Sequence, residues 1–141
     1  MGAAGQPALS AEAQAALDGQ LCEAAKKGDA AAIERLAAEG ASPSAKKGGW
    51  PAVVTAAVGG HAGAVSALAR LGADLDARDD DDGCTALMRA ALEGQVECAR
   101  ALLAGGADRT LRATGGGWKG KTALELAEEY GKAEVAALLR E

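Results

Sequence analysis

Phenylalanine is absent from this chain of 141 residues, and it has only two tryptophans, one tyrosine and one histidine. A core without large rings must be built from Ala, Leu and Val, which pack densely only when backbones come close together. Stacked short helices meet that condition better than one large core. With His61 as the only histidine, no Ser–His–Asp or Cys–His arrangement has independent support. An enzyme is therefore not expected, and no cofactor is implied. Basic residues are in the minority, 15 against 20 acidic, for a formal net charge of −5. That excess, with no basic block, disfavours nucleic acid or an anionic membrane as the main partner. No apolar run reaches the ~18 residues of a membrane span.

The three cysteines, Cys22, Cys84 and Cys98, form no CxxC pair. The first residues carry no basic stretch followed by an apolar one, so no secretory signal is read. Free thiols in a reducing intracellular compartment, cytoplasmic or nuclear, are the expectation. Cys22 and Cys98 fall on helical columns and should pack as small hydrophobes. Cys84 lies beside a loop and is expected to be the most exposed. Met1-Gly2 opens like a myristoylation site, but Gln6 stands where Ser or Thr is needed.

What the sequence does have is a repeat. Gly28, Gly60, Gly94 and Gly131 each follow a short apolar stretch, 32, 34 and 37 residues apart (28 to 60, 60 to 94, 94 to 131). Leu21, Val53, Leu87 and Leu124 stand seven residues before these glycines, and Leu36, Leu68, Leu102 and Leu139 eight after. Gly40, Gly72 and Gly106, each followed by Ala, stand twelve after the first three. Apolar columns in register mean that each unit buries the same face against its neighbour.

Each unit reads as helix, tight turn, helix, loop. The turn glycine suits the left-handed position that ends a helix, and so does the second glycine. Thr85 and Thr122 are expected N-caps, and Pro51 holds the same column in the second unit. Ser10 should cap a short helix, Ala11–Leu17, ended by Asp18-Gly19 and lying over the apolar face of the first unit. Residues 1–8 are expected to be mobile. Lys132, Glu134, Arg140 and Glu141 give the last helix a polar outer face, as a terminal unit needs.

Gly83-x-Thr85-Ala86-Leu87-x-x-Ala90-Ala91-x-x-Gly94 and Leu102-Leu103-x-x-Gly106-Ala107-Asp108 resemble the ankyrin-repeat family. The resemblance runs from about Gly19 to Glu141. It implies an all-α solenoid of four helix-turn-helix units with hairpin-like finger loops, over about 19–50, 51–84, 85–121 and 122–141, after an extension at 1–18. The family's Thr-Pro-Leu-His box here reads Pro51-Ala-Val-Val54, Thr85-Ala-Leu-Met88 and Thr122-Ala-Leu-Glu125. Its histidine is missing throughout, and with it that residue's usual hydrogen bonds to neighbouring loops. The loop before the fourth unit carries about four extra residues, around Thr114–Trp118.

The resemblance also implies function: a rigid stack that binds another protein through finger tips and inner helices, as an adaptor, an inhibitor or a subunit of a larger complex. The expected contacts are Lys26, Lys27, Lys46, Lys47, Trp50, Asp79, Asp80, Asp81, Asp82, Leu92, Glu93, Trp118, Lys119, Glu129 and Tyr130. Exposed Trp and Tyr favour interfaces, though each tryptophan has the alternative of packing on its own finger. Charge is zoned along the stack: lysines at the first finger, Asp79–Asp82 in the second, Lys119 and Lys121 at the third. Such a stripe would select a partner of opposite pattern and set its register.

The four aspartates have three readings. They are a solvated tip, a contact for a basic partner, or a weak divalent-cation site. The EF-hand pattern fails, because with Gly83 at position six Arg78 falls at one and Arg89 at twelve. Gly115–Gly117 lack the strand-then-helix setting of a phosphate loop.

Overall fold

The computed structural model describes residues 9–141, so the expectation for residues 1–8 lies outside the described residues. Four helical hairpins follow one another: α1 (Ala11–Lys27) with α2 (Ala30–Ala38), α3 (Ala52–Val58) with α4 (Ala62–Arg70), α5 (Ala86–Glu93) with α6 (Val96–Ala104), and α7 (Ala123–Glu129) with α8 (Ala133–Arg140). Helices α1, α3, α5 and α7 contact one another in order and form the inner layer. The others stack behind them.

All four turn glycines take positive φ, from +69° to +77°, and so do Gly40, Gly72 and Gly106. The left-handed region is where a side chain clashes and glycine does not. Gly28 is bound to its position twice, since a Cβ there would lie 2.5 Å from Nδ1 of His61. His61 thus packs over the preceding unit's turn, a structural role.

Leu21, Ile33, Val53, Val65, Leu68, Leu87, Leu102, Leu126 and Val135 are fully or almost fully buried. Alanines fill the narrow space between helices: Ala25, Ala56, Ala57, Ala90, Ala91 and Ala127 are inaccessible. Thr85 and Thr122 cap α5 and α7 by accepting from the amides of Met88 and Glu125 at 3.4 and 3.2 Å.

Three long fingers join the hairpins, at 41–51, 73–85 and 107–122. The first contains a two-residue antiparallel ladder, β1 (Lys46–Lys47) with β2 (Trp50–Pro51). The third closes with a bridge between Arg112 and Thr122. The missing box histidines leave the fingers tied by other bonds. The Asp80 amide donates to the Gly49 carbonyl at 2.9 Å, and the Gly115 amide to the Asp82 carbonyl at 3.0 Å. Arg78 donates to the Arg112 carbonyl at 2.7 Å. Lower down, the Asp74 amide donates to Ser44 Oγ and the Asp108 amide to an Asp76 carboxylate.

Two expectations are corrected. The short helix Ala11–Leu17 does not stop at Asp18-Gly19 but runs on into the first unit as one 17-residue helix. Once Leu21 and Ala25 are buried, the hydrogen-bond ladder outweighs the ~1 kcal/mol cost of a mid-helix glycine. Being continuous, the extension does not fold back over the first unit. Gln14 donates instead to the Gly40 carbonyl, and the Asp18 carboxylate accepts from the Ser42 amide. Cys84 is fully buried rather than exposed, because the base of the second finger turns inward beside Thr85. Burial pushes the thiols of Cys22, Cys84 and Cys98 up to about 11, leaving all three protonated at neutral pH.

Candidate functional site

Inner helices α3, α5 and α7 each begin where a finger ends, so the last residues of a finger and the first turns of its helix share one surface. On that surface, ion pairs join helix to finger. Glu23 of α1 accepts from Lys47 of the first finger at 2.6 Å. Arg89 of α5 meets Asp79 and Asp82 of the second finger at 2.9 and 3.1 Å. Glu129 of α7 pairs with Lys121 of the third. The sign inverts in the middle of the stack, where the helix carries the cation and the finger the anions.

The middle pair is also the buried one. Arg89 is only 8% exposed and Asp79 2%. One Asp79 oxygen accepts from Arg89, and the other accepts the Asp82 amide at 2.8 Å. Burial by itself would lower the Arg89 pKa, but the hydrogen bond and charge of Asp79 outweigh it and hold it above the ordinary value. The guanidinium carbon lies 4.7 Å from the centre of the Trp50 ring and 5.2 Å from that of Trp118. Two indoles from different fingers therefore flank one cation, at cation–π distance. Asp81 accepts from the Trp50 indole N–H at 2.8 Å, and the Tyr130 hydroxyl accepts from that of Trp118 at 2.8 Å.

The extra residues of the third finger explain Trp118. Gly115 bonds the second finger, and Gly116–Trp118 form a 3₁₀ turn that brings the indole over Arg89. The approach is close. Gly83 has φ +63°, and a Cβ there would overlap Thr114 Oγ1.

This arrangement divides the four aspartates: Asp80 and Asp81 stay exposed, as a solvated tip requires, and Asp79 and Asp82 do not. Asp79 is buried, Asp82 is half-buried on Arg89, Asp80 accepts from Lys46 at 2.8 Å, and Asp81 holds Trp50. The cation that Asp79 and Asp82 hold is a guanidinium of the same chain. Among the described residues no group of three or more His, Cys, Asp or Glu side chains is arranged to hold a metal ion. The charge zoning is answered within the chain in part: Lys46, Lys47 and Lys121 have partners, and Lys26, Lys27 and Lys119 have none among the described residues.

Of the other expected contacts, Lys26, Lys27, Glu93 and Lys119 are exposed, and Leu92 is half-buried against the core. Lys27 lines a groove of about 510 Å³ at the N-terminal end of the stack, together with Gln20, Ala24 and Arg35. Tyr130 is 46% exposed at the end of α7, and both tryptophans are half-buried. Arg89, Glu23 and Thr55 had not been expected here. They share the column five residues before the turn glycine, which the fourth unit fills with the buried Leu126.

The likeness to known proteins follows the same repeats. Residues 21–113 match the family model described as ankyrin repeats (3 copies). Helices α7 and α8 lie beyond the match and repeat the same hairpin geometry. Such repeats serve in general as protein–protein interaction modules. No helix among the described residues is long and apolar enough to cross a membrane. With about two thirds of its residues inside that match, the chain belongs to the ankyrin-repeat family.

Proposed function

We propose that the chain is a non-enzymatic binding protein, acting as an adaptor, an inhibitor or a subunit of a larger assembly, that holds a protein partner on its inner face. The observation behind this reading is the line Trp50–Arg89–Trp118–Tyr130, which joins the first and third fingers through α5 and ends in an exposed tyrosine. The ion pairs and stacked rings hold that face in one geometry, which reduces the ordering a partner must impose. Lys26, Glu93 and Lys119 are exposed and have no ion-pair partner among the described residues, so they remain available for contact.

Affinity capture from native extract tests the reading. The capture compares the unaltered chain with a variant carrying Glu93→Lys, Lys119→Glu and Tyr130→Ala, and with an outer-helix variant, Arg100→Ala. The expected result is a set of proteins lost only with the first variant. Loss only with Arg100→Ala would move the interface to the outer helices. Asp79 is unsuitable for such a test, because changing a buried, paired carboxylate disturbs the fold as well as the surface.

A further inference from the structure

Resting on the inner-face reading, we infer a specific anchor cleft beside Trp50 for an acidic partner segment that carries one apolar side chain. The cleft lies between α1, the first finger and α3, and holds about 320 Å³. That is at the lower end of the range for binding pockets, about 300–1,000 Å³, and matches one side chain better than a whole ligand. Its lining is Cys22, Glu23, Lys26, Lys47, Trp50 and Thr55.

The apolar half of the requirement comes from the walls. Trp50 has its indole N–H engaged by Asp81 and a ring face on Arg89, so what it offers the cleft is hydrocarbon. Cys22 is an uncharged thiol, raised to about 11 by burial. Thr55 stands where the next unit carries Arg89, and this is the reason the cleft exists. A long side chain in that column fills the space between helix and finger, as Arg89 does one unit along. Threonine leaves it open.

The acidic half comes from the rim. Lys26 has no ion-pair partner among the described residues. Lys47 gives Glu23 one of its three ammonium hydrogens and keeps two. Two cations against one carboxylate make this a locally positive site in a chain of net charge −5. A segment with carboxylates beside its apolar anchor complements it, and a basic segment is repelled.

Selection of short random peptides displayed on phage, against the full chain, tests this inference. Enriched sequences should place Leu, Ile, Met or an aromatic residue next to Asp or Glu. Titration of the synthesised winner should weaken about tenfold or more with Lys26→Glu and with Thr55→Gln, and with rising salt. Arg100→Ala, on the outer layer, should leave it within about twofold. Circular dichroism of each variant separates loss of the cleft from loss of the fold. Winners without acid, or winners sensitive to Tyr130→Ala and not to Lys26→Glu or Thr55→Gln, overturn the cleft and leave the inner-face reading standing. Winners indifferent to Lys26→Glu, Thr55→Gln and Tyr130→Ala overturn both. No enrichment at all overturns the cleft alone.

Discussion

In the column six residues before the turn glycine, the first three units carry Cys22, Val54 and Met88, all buried, and the fourth carries Glu125, which is exposed. Three residues on, Ala25, Ala57 and Ala91 are inaccessible, while the fourth unit has Glu128, paired with Arg140 at 2.7 Å. Arg140 itself stands in the column of Ala37, Ala69 and Leu103. The first unit mirrors this on its other side. Gln20 stands where Ala52, Ala86 and Ala123 are buried, and Arg35 where Ala67 and Leu138 are. Interior and terminal units share one backbone plan. What separates them is whether a column that faces a neighbour holds a small apolar group or a solvated charge, as an array of stacked units requires.

The interior is where a single change should cost most. Arg89→Ala leaves the Asp79 carboxylate buried without its counter-charge, a loss of roughly 3–5 kcal/mol. Urea denaturation should show it. Breaking the exposed Arg70–Glu34 pair on the outer helices should shift stability by under about 1 kcal/mol in the same assay. Equal effects would mean that the buried network is no stronger than a surface pair, and the contrast between interior and periphery would fail.

Thr122→Ala removes the cap of α7 and should cost about 1 kcal/mol. Because α7 and α8 have a neighbour on one side only, hydrogen exchange should quicken there first and leave α3–α6 protected.

Making a terminal unit resemble an interior one should change association more than stability. Glu128→Ala with Arg140→Leu should alter folding by about 0.5 kcal/mol or less. It exposes the stacking columns, and light scattering should detect self-association. A strictly monomeric variant would show that those charges do not end the stack.

The smallest effect is that of acid. Glu125 is held below its ordinary value by the Thr122 amide, Glu23 by Lys47, and Asp108 by Thr110. A carboxyl whose folded pKa is depressed adds stability above its unfolded value. That stability is lost as pH falls through the unfolded value and then the folded one. The ordinary values are 4.5 for the two glutamates and 3.8 for Asp108, so the decline should begin near pH 4.5 and steepen below it. Glu23 and Glu125 belong to the terminal units and Asp108 to the last finger. Mild acid should therefore raise hydrogen exchange at the ends of the stack before its middle.

Much of this was legible without coordinates. Helix, turn and helix follow from apolar columns and from glycines at positions that need positive φ, and these are local rules. The caps at Thr85 and Thr122 depend on a hydroxyl three residues from an amide. The polar outer face of α8 was legible too, because Arg140 interrupts a column that Ala37, Ala69 and Leu103 fill in the other units.

The candidate site was legible in its residues and not in their relations. Asp79, Trp50 and Trp118 could each be picked out, but nothing local shows that Arg89 joins them. Trp50 and Arg89 are 39 residues apart, and Trp118 is 29 beyond. They meet because adjacent units stack with their fingers in contact, and because an enlarged third finger bends back over the second. The sequence by itself determined the repeat, its period, its caps and the polarity of its ends, since each depends on residues within a turn or two of one another. Only the tertiary structure decided that four consecutive aspartates divide among Arg89, Lys46 and Trp50, that Cys84 is buried, and that Thr55 leaves a cleft open. Those outcomes depend on distances between units, which packing sets.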